Sequence, residues 1–338
     1  MDVQEVLHMV GGEGETSYAV NSTFQKTGTT IAMKVVLEGI MKVYNSTLPQ
    51  CLCIADLGCS SGTNSLLVLT QIIDTIESVR NRLGHPLLEY QVALNDLTGN
   101  DFNTIFKSLP ALYERLKKKK GERFGPCFIS GLPGSFIGRL FPCNTIHFVH
   151  SSYSVHWLSQ VPIGPEDNKG QIYLAKTSSS SVRKAYLEQF QKDFSVFLRS
   201  RYDELVPGGH MVMTMLGSKS EDPFSRDFCT LMELLAKSLK DLVSKEGRSN
   251  HQEIFDVNWD PNDDNHNEGF MFDNISSARN AVRCVRAVTE SMFVHQFGEA
   301  IIDNLYQRYT EIIAEHLSKE NAREKSKYVS LLISLKRK

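Results

Sequence analysis

Residues 52–64, Leu-Cys-Ile-Ala-Asp-Leu-Gly-Cys-Ser-Ser-Gly-Thr-Asn, constrain the fold of this chain more than any other stretch. An apolar run from Leu52 to Ala55 ends at Asp56, and a turn of small residues follows. After the turn, apolar residues recur at three- and four-residue steps from Leu66 to Val79, which predicts a helix. A strand, a tight turn and a helix in this order are typical of an open α/β sheet that binds a ligand at the ends of its strands.

The turn itself favours a ligand without phosphates. It reads Gly58-Cys-Ser-Ser-Gly62, so it lacks the Gly-x-Gly that brings backbone close to a pyrophosphate, and it lacks the lysine of a Walker loop. A carboxylate at Asp56 and the backbone N–H groups of the turn suit a nucleoside that carries a charged amino-acid end. S-adenosylmethionine (SAM) is a ligand of this kind.

The remaining pattern predicts an α/β core with a helical cap. Short apolar segments predict further strands at residues 90–94, 127–130, 145–149, 210–216 and 328–335, and amphipathic segments predict helices at 29–45, 181–202, 225–245, 276–293 and 297–318. Ser180 is the expected N-cap of the 181–202 helix. The later helices are too many to cover one sheet. We therefore predict a core of residues 1–220 and 321–338 and a mostly helical cap at residues 221–320.

Four polar or glycine-rich segments are predicted to lie outside these elements. Residues 117–120 are lysines and predict a solvated loop, and residues 206–209, Val-Pro-Gly-Gly, predict a turn. Residues 248–270 are polar and irregular, which predicts a linker or loop. Residues 8–22 are too glycine-rich and polar to form a core, so they are either a segment that covers a ligand or a surface arm.

The charge balance and the cysteines exclude several classes of protein. The 338 residues carry a net charge of −2, and nucleic-acid binding needs an excess of Lys and Arg. No apolar run approaches the length of about 20 residues that spans a bilayer, and the first residues lack the basic and apolar character of a signal peptide. The seven cysteines lack zinc-type spacing, so we expect reduced thiols in the cytoplasm, with neither nucleic acid nor membrane as a partner.

Two further strand ends carry candidate ligand-binding residues. Asp96 follows the second strand, where a carboxylate can accept two hydrogen bonds from ribose hydroxyls. Tyr153, His156 and Trp157 follow the fourth strand and offer two aromatic walls and three polar tips, which suit a small planar substrate. In the loop after the third strand, Ser135 is a candidate hydrogen-bond donor beside a ligand.

Neither a metal centre nor a nucleophilic triad is predicted. His147 and His150 are three apart on a strand, so they point to opposite faces and cannot share a metal. The acidic stretch from Asp260 to Asp264 lacks the glycine at the sixth position of a calcium loop. Ser135 is not predicted to be a nucleophile, because Gly134-Ser135-Phe136 follows a proline turn and lacks a strand–elbow–helix pattern.

Several segments match the motifs of one known family. They are residues 6–9, 12–18, 21–22, 55–62 with Asn64, 94–97, 100–103, 133–136, 138–142, 150–153, 156–162, 168–170 and 297–299. Among them are Ala-Asp-Leu-Gly-Cys-Ser-Ser-Gly at 55–62, Pro-Gly-Ser-Phe at 133–136 and His-Trp-Leu-Ser-Gln-Val-Pro at 156–162. The match runs from end to end, and the chain resembles the plant SABATH methyltransferases, which use SAM to methylate small acids and xanthine alkaloids.

The resemblance implies a class I (Rossmann-like) methyltransferase core with a helical cap, usually as a homodimer. SAM, or its product S-adenosyl-L-homocysteine (SAH), would be held by Tyr18, Asp56, Gly58, Cys59, Asn64, Asp96, Leu97, Ser135 and Phe136. The substrate pocket would be lined by Phe24, Gln25, Tyr153, His156, Trp157 and Met232. No metal is expected, and Asn168 would matter only if a structural magnesium ion is present.

The chain departs from the family pattern in four places. Thr63 replaces a proline, Ile137 replaces an aromatic residue, and Met232 replaces the tryptophan of salicylate-type members. A cap portion is also missing between about Val243 and Glu246, so either the chain is shortened there or a segment has been left out of it.

The substrate residues leave three hypotheses. Gln25 and Trp157 match the pair that holds a carboxylate in salicylate methyltransferases, whereas Phe24 resembles the aromatic residue of caffeine-forming members. His156 is typical of the jasmonate, some benzoate and the caffeine-forming members. Met232 in place of a tryptophan would widen the pocket beyond a single benzene ring. We therefore favour N-methylation of a methylxanthine, such as the conversion of theobromine to caffeine. In that reaction His156 would orient the substrate or relay its proton. The alternative is carboxyl O-methylation of salicylate, benzoate or a related acid, which needs no base. The third hypothesis is a non-catalytic protein that only binds SAM.

Overall fold

The fold is described from a computed structural model, which covers residues 3–121, 124–162, 174, 178–217, 232–239, 273–319 and 329–337. Six strands, labelled β1 to β6 in chain order, are Cys51–Leu57, Glu89–Asp96, Cys127–Pro133, Ile146–Ser152, Leu205–Gly217 and Val329–Lys336. They form one sheet in the order β3-β2-β1-β4-β5-β6. β1 to β5 are parallel, and β6 is antiparallel to β5. This order puts the chain reversal between β1 and β4, where open α/β sheets bind ligands.

The helices, labelled α1 to α9, alternate with the strands and then follow one another. They are Val3–Val6, Tyr18–Asn21, Thr23–Thr47, Thr63–Leu83, Phe102–Lys120, Ser180–Glu204, residues 232–239, Asn274–Phe297 and Ile302–Leu317. A short 3₁₀ turn, Glu299–Ile301, joins α8 to α9. In the described part of the chain, no helix combines the length and the apolar character that crossing a membrane requires.

The central strand β1 is buried on both faces, as its continuous apolar run predicts. Leu52 and Ile54 pack into a cluster with α3, α4 and α5, whereas Ala55 and Leu57 pack into a cluster with α6. Alternate residues of a strand point to opposite faces, so one strand supplies both cores.

A third apolar cluster involves only the later helices. Side chains of α7, α8 and α9 form it, with Leu305, Tyr309 and Ile313 fully buried. Thr289 and Tyr306 join the two long helices through a hydrogen bond of 2.8 Å between their hydroxyls. A separate helical core agrees with the idea of a cap, while the boundaries 1–220, 221–320 and 321–338 stay a prediction.

The prediction of a solvated loop at residues 117–120 is wrong. These lysines form the last turn of α5, where cations interact favourably with the helix dipole. Lys119 and Lys120 both pair with Asp74 of α4, and Asp101 caps the first turn by accepting from the N–H of Thr104 at 3.1 Å. The charge run conceals the helix, because the apolar residues that bury it lie upstream, at Ile105, Leu109 and Leu112.

The predicted turn at residues 206–209 lies inside β5. Gly208 has a φ of 81°, and the register against β4 shifts between Ile146 and Phe148, so the residues of β5 between Leu205 and His210 bulge out of the ladder. Gly209 accepts a hydrogen bond from the N–H of Arg337 at 2.9 Å, so β6 continues along the strand past the bulge. A glycine-rich segment can therefore bend a strand without ending it.

The other predicted elements are present with shifted ends. α3 begins at Thr23, ahead of the predicted start, and α6 is capped by Ser179 instead of Ser180. Only residues 232–239 of the predicted 225–245 helix are described, and they are helical. The predicted loop at 248–270 lies outside the described residues.

Candidate cofactor and substrate site

The turn after β1 has the tight geometry that its small residues permit. Gly58, Ser60 and Gly62 all have positive φ angles, of 82°, 47° and 83°. The N–H groups of Gly58 and Cys59 both donate to the carbonyl of Asn95, at 2.9 and 2.8 Å. A Cβ atom at Gly58 would overlap the side chain of Ser154, so only glycine fits at this position.

Asp56 is held by side chains on two neighbouring elements. Nδ1 of His150 donates to Asp56 Oδ1 at 2.5 Å, and the hydroxyl of Ser65 donates to Oδ2. His150 faces Asp56 because the two residues are register partners on β4 and β1. The carboxylate is buried and fixed in orientation, with its remaining lone pairs available to a ligand.

Asp96 ends β2 and is held by backbone. Its Oδ2 accepts from the N–H of Ser60 at 2.7 Å, and its Oδ1 accepts from the N–H of Leu97 at 2.8 Å. Burial raises the pKa of the Asp96 carboxyl above its ordinary value, although the two backbone hydrogen bonds act in the opposite direction. One carboxylate thus links the turn after β1 to the end of β2.

A cavity lies at the ends of β1 and β4 and brings many of the predicted residues together. The predicted cofactor residues that line it are Tyr18, Asp56, Gly58, Cys59 and Asn64, and the predicted substrate residue is Gln25. Its lining also includes Thr29, Ser60, Ser65, His150 and Ser152, whose side chains were not predicted to contact a ligand. The sequence signal for His150 was its position at the end of the fourth apolar segment. Its contact with Asp56 could not be predicted, because that contact depends on the order of the strands in the sheet.

The loop after β3 adjoins this cavity. Nδ2 of Asn95 donates to the carbonyls of Leu132 and Gly134, at 2.8 and 2.9 Å, and the N–H of Gly134 donates to the carbonyl of Asp96 at 2.8 Å. The ring of Phe136 approaches the turn, since its Cε1 lies 3.8 Å from the position of a Cβ built on Gly58. Asp96 and Phe136 thus lie next to the turn that lines the cavity, while the assignment of Asp96, Leu97, Ser135 and Phe136 to the cofactor stays a prediction.

The N-terminal segment is packed against the cap. The N–H of Val10 donates to the carbonyl of Ala287 in α8, and the N–H of Tyr18 donates to the carbonyl of Val10, each at 2.9 Å. The N–H of Gly12 donates to Asp101 at 2.9 Å. Of the two sequence hypotheses for residues 8–22, the covering segment fits better, because these contacts bring Tyr18 to the cavity.

Phe24 and Tyr153 form one aromatic pair beside the cavity. Their ring centroids are 5.1 Å apart, and Tyr153 has a φ of 56°, a conformation that costs a non-glycine residue backbone energy. The Tyr153 hydroxyl lies 2.7 Å from that of Ser330 in β6, so it already has a partner instead of being a free polar tip. A Cβ atom at Gly28 would overlap this hydroxyl, which explains the glycine within α3.

His156 and Trp157 lie side by side after β4, with ring centroids 5.9 Å apart. Nδ1 of His156 is buried without a hydrogen-bond partner among the described residues. Burial lowers the pKa of His156 to about 4, so its ring is neutral at neutral pH. The side chain therefore offers a ring nitrogen that can act as donor or acceptor, but no positive charge.

The cap contributes residues to the same region. Sγ of Cys284, on α8, donates to Oε1 of Gln25 at 3.8 Å, which couples the cap to α3. Met232 begins α7 and packs against the helical cluster of the cap. These contacts place Gln25 between the core and the cap.

Within the described ranges, no group of three or more His, Cys, Asp or Glu side chains could hold a metal ion. His147 and His150 have different partners, since His147 Nδ1 accepts from the N–H of Cys53 at 3.2 Å. Asn168, the predicted contact of a structural magnesium ion, lies outside the described residues.

The mostly parallel sheet and the glycine turn after β1 are those of a Rossmann-like fold, which binds its ligand at the strand ends. The chain belongs to the family of SAM-dependent carboxyl methyltransferases, because the model of that family matches residues 4–250 and 248–338. This finding confirms the resemblance to the plant SABATH methyltransferases, the enzyme class and SAM as the cofactor.

Named relatives and a solved structure agree with this assignment. The chain is 43% identical to a benzoic acid/salicylic acid carboxyl methyltransferase of Petunia hybrida over 366 residues, 99% of each protein. It is 44% identical to the salicylate carboxymethyltransferase of Clarkia breweri over 370 residues, covering 100% of this chain and 99% of that protein. The structure of a loganic acid methyltransferase with SAH is similar at a TM-score of 0.78 and 32% identity, over 98% of each chain.

The alignments also bear on the missing part of the cap. They run over 366 and 370 positions, whereas this chain has 338 residues, so these relatives carry positions that this chain lacks. The family model matches in two pieces that meet at residues 248–250. That junction lies close to the position between Val243 and Glu246 where the sequence predicts a missing cap segment.

Proposed function

We propose that this SAM-dependent methyltransferase transfers a methyl group to the carboxylate of a small aromatic acid of the salicylate or benzoate kind. The supporting observation is the state of Gln25 beside the cavity. Its Oε1 accepts from Cys284, which leaves the two N–H groups of Nε2 without a partner in the described part of the chain. Gln25 is part of the cavity lining, and two N–H donors at such a place suit a carboxylate, which can only accept hydrogen bonds.

The shape and the unpaired groups of the site fit SAM. The turn after β1 lines the cavity with Gly58, Cys59 and Ser60, and the hydroxyls of Ser60 and Ser61 are buried without partners among the described residues. In our proposal Asp56 faces the amino-acid end, Asp96 accepts from the ribose hydroxyls, and Ser135 and Phe136 flank the adenine. The other contacts are assigned to Tyr18, Gly58, Cys59, Asn64 and Leu97.

The chemistry asks for alignment more than for acid–base groups. SAM supplies a methyl group that its sulfonium already activates. A carboxylate is ionised at neutral pH, so its oxygen can attack the methyl carbon in line with the breaking C–S bond without a general base. Gln25 and Trp157 would orient the carboxylate through their N–H groups, while Phe24, Tyr153 and Met232 would bound the rest of the substrate.

N-methylation of a methylxanthine is the second candidate, and one observation favours it. His156 is neutral, and its Nδ1 has no partner among the described residues, so it could accept a hydrogen bond from a ring N–H and orient the substrate. The sequence alone favours this candidate over the acid. The names of the relatives quoted above point the other way, since they act on carboxylic acids.

A substrate panel tests both candidates. Purified protein is incubated with SAM carrying a labelled methyl group and with salicylate, benzoate, jasmonate, theobromine or paraxanthine. We expect labelled methyl ester from at least one aromatic acid and no labelled xanthine. Product from the xanthines alone would refute the acid, and SAH binding without any product would support the non-catalytic hypothesis. Light scattering tests the homodimer, and imaging of a tagged chain tests the cytoplasmic location; both stay predictions.

A further inference from the structure

The loop of residues 134–142 is held by side chains of α6, the helix that packs behind it. Nη1 of Arg201 donates to the carbonyl of Phe136 at 2.5 Å, and Nη2 donates to the carbonyl of Gly138 at 2.8 Å. Ser200, one residue earlier, donates to the carbonyl of Ile137 at 3.3 Å. Three consecutive carbonyls of the 134–142 loop are thus bonded to two consecutive residues of one helix.

Glu204 holds the other half of the same loop. Its Oε1 accepts from the N–H groups of Leu140 and Phe141, at 2.6 and 3.1 Å. The same carboxylate forms a two-point ion pair with Arg201, from Nε at 2.8 Å and from Nη2 at 2.9 Å. Both residues are 0% exposed, so the pair is surrounded by protein and its hydrogen bonds do not compete with water.

Such a pair is not explained by stability alone. A buried ion pair roughly balances its desolvation cost, and apolar side chains of similar size often replace it without loss. What an apolar pair could not supply is the set of four hydrogen bonds to the 134–142 loop. The ring of Phe197 adds an edge contact to Phe136, at 6.1 Å between centroids, on the same side as Arg201.

We propose that Arg201 and Glu204 are positioning residues for the cofactor. They fix the backbone of the 134–142 loop and thereby set the place of Ser135 and Phe136. The inference rests on the proposed function only in assigning Ser135 and Phe136 to the adenine. Arg201 and Glu204 themselves lie behind the loop and act on the cofactor through it.

The chain contains a matched pair that serves as a control. Glu77 and Arg80 also lie three residues apart on a helix, α4, and form a buried two-point ion pair, at 2.9 and 2.8 Å. Arg80 likewise donates to two loop carbonyls, those of His85 and Pro86, each at 3.3 Å. Those carbonyls precede β2, at the edge of the sheet opposite the cofactor site.

The test compares Arg201→Lys with Arg80→Lys. Lysine keeps the positive charge but cannot reproduce the fork of a guanidinium, so each variant loses hydrogen bonds to its own loop. We expect similar falls in melting temperature for the two variants. The Kd for SAH, measured by calorimetry, should rise about tenfold in Arg201→Lys, the effect of one lost contact, and less than about twofold in Arg80→Lys. Saturating SAM should restore kcat in Arg201→Lys.

Further variants keep the test decisive. If Arg201→Lys does not fold, Glu204→Gln and its control Glu77→Gln replace the two lysine variants. Equal changes in Kd within a matched pair, or no change at all, would overturn the positioning role. Phe136→Ala separates this failure from a failure of the proposed function: if it leaves the Kd for SAH unchanged, the assignment of the loop to the cofactor is wrong. If Phe136→Ala weakens binding while Arg201→Lys does not, only the positioning role is wrong.

Discussion

Replacement of Asp96 by asparagine isolates the contribution of one carboxylate to cofactor binding. Both oxygens of Asp96 accept backbone N–H groups, from Ser60 at 2.7 Å and Leu97 at 2.8 Å. Asparagine has one oxygen, so its NH₂ group must face one of these N–H groups, and the negative charge that would accept from the ribose hydroxyls is lost. A hydrogen bond to a charged group contributes about 1.5–3 kcal/mol, so two weakened ribose bonds are worth about 3 kcal/mol.

An energy of about 3 kcal/mol corresponds to a Kd for SAH that is higher by a factor of about 100. Calorimetric titration with SAH measures this directly, and Asp303→Asn is the control because the side chain of Asp303 is 88% exposed. Burial raises the pKa of Asp96, so the affinity of the unmodified protein should start to fall, on acidification, at a higher pH than an ordinary aspartate would give. The asparagine variant should lack this transition. A Kd within twofold of the unmodified protein would refute the role of Asp96 in binding the ribose.

Three other predictions concern the substrate side. Gly28→Ala should displace the Tyr153 hydroxyl and raise the KM for the acid about tenfold, with an unchanged Kd for SAH; equal effects on both would contradict it. His156→Met should raise turnover of salicylate relative to xanthines in the substrate panel, and an unchanged ratio would mean that His156 does not select the substrate. Because burial lowers the pKa of His156 to about 4, the unfolded chain binds its proton first on acidification, so stability should fall between about pH 6.5 and pH 4. The free energy of unfolding, measured by urea denaturation, should fall less over this pH range in His156→Met than in the unmodified protein.

Local sequence predicts the parts of the site that local sequence builds. Asp56, Gly58 and Asp96 could be predicted as site residues because each stands at the end of an apolar segment, where a strand ends and a ligand can approach. The contacts of His150 and Ser65 with Asp56 could not be predicted in this way. The contact of His150 depends on β4 lying beside β1, and that of Ser65 depends on the first turn of α4. The order of strands in a sheet is decided by packing between distant segments.

The difference between local and nonlocal information also explains the two errors in the predicted secondary structure. Two of the four lysines in the last turn of α5, Lys119 and Lys120, pair with Asp74 on another helix, and a window around the lysines contains no sign of that partner. The glycines before His210 bend a strand because β6, more than a hundred residues later, continues the hydrogen bonding beside it. In each case the prediction followed the usual local preference of the residue type, whereas the observed secondary structure depends on a contact with a distant segment.

The two halves of the site are built from different parts of the chain, which has a consequence for specificity. The candidate cofactor residues stand mainly at the ends of β1, β2 and β3 and are tied together by the backbone of Asn95 and the carboxylate of Asp96. The candidate substrate residues come from α3, from the segment after β4 and from the cap. Gln25 meets the cap through Cys284, so a substitution on α8 could change how Gln25 presents its N–H groups without touching Asp56 or Asp96. Such a division lets the substrate change while the cofactor site stays the same.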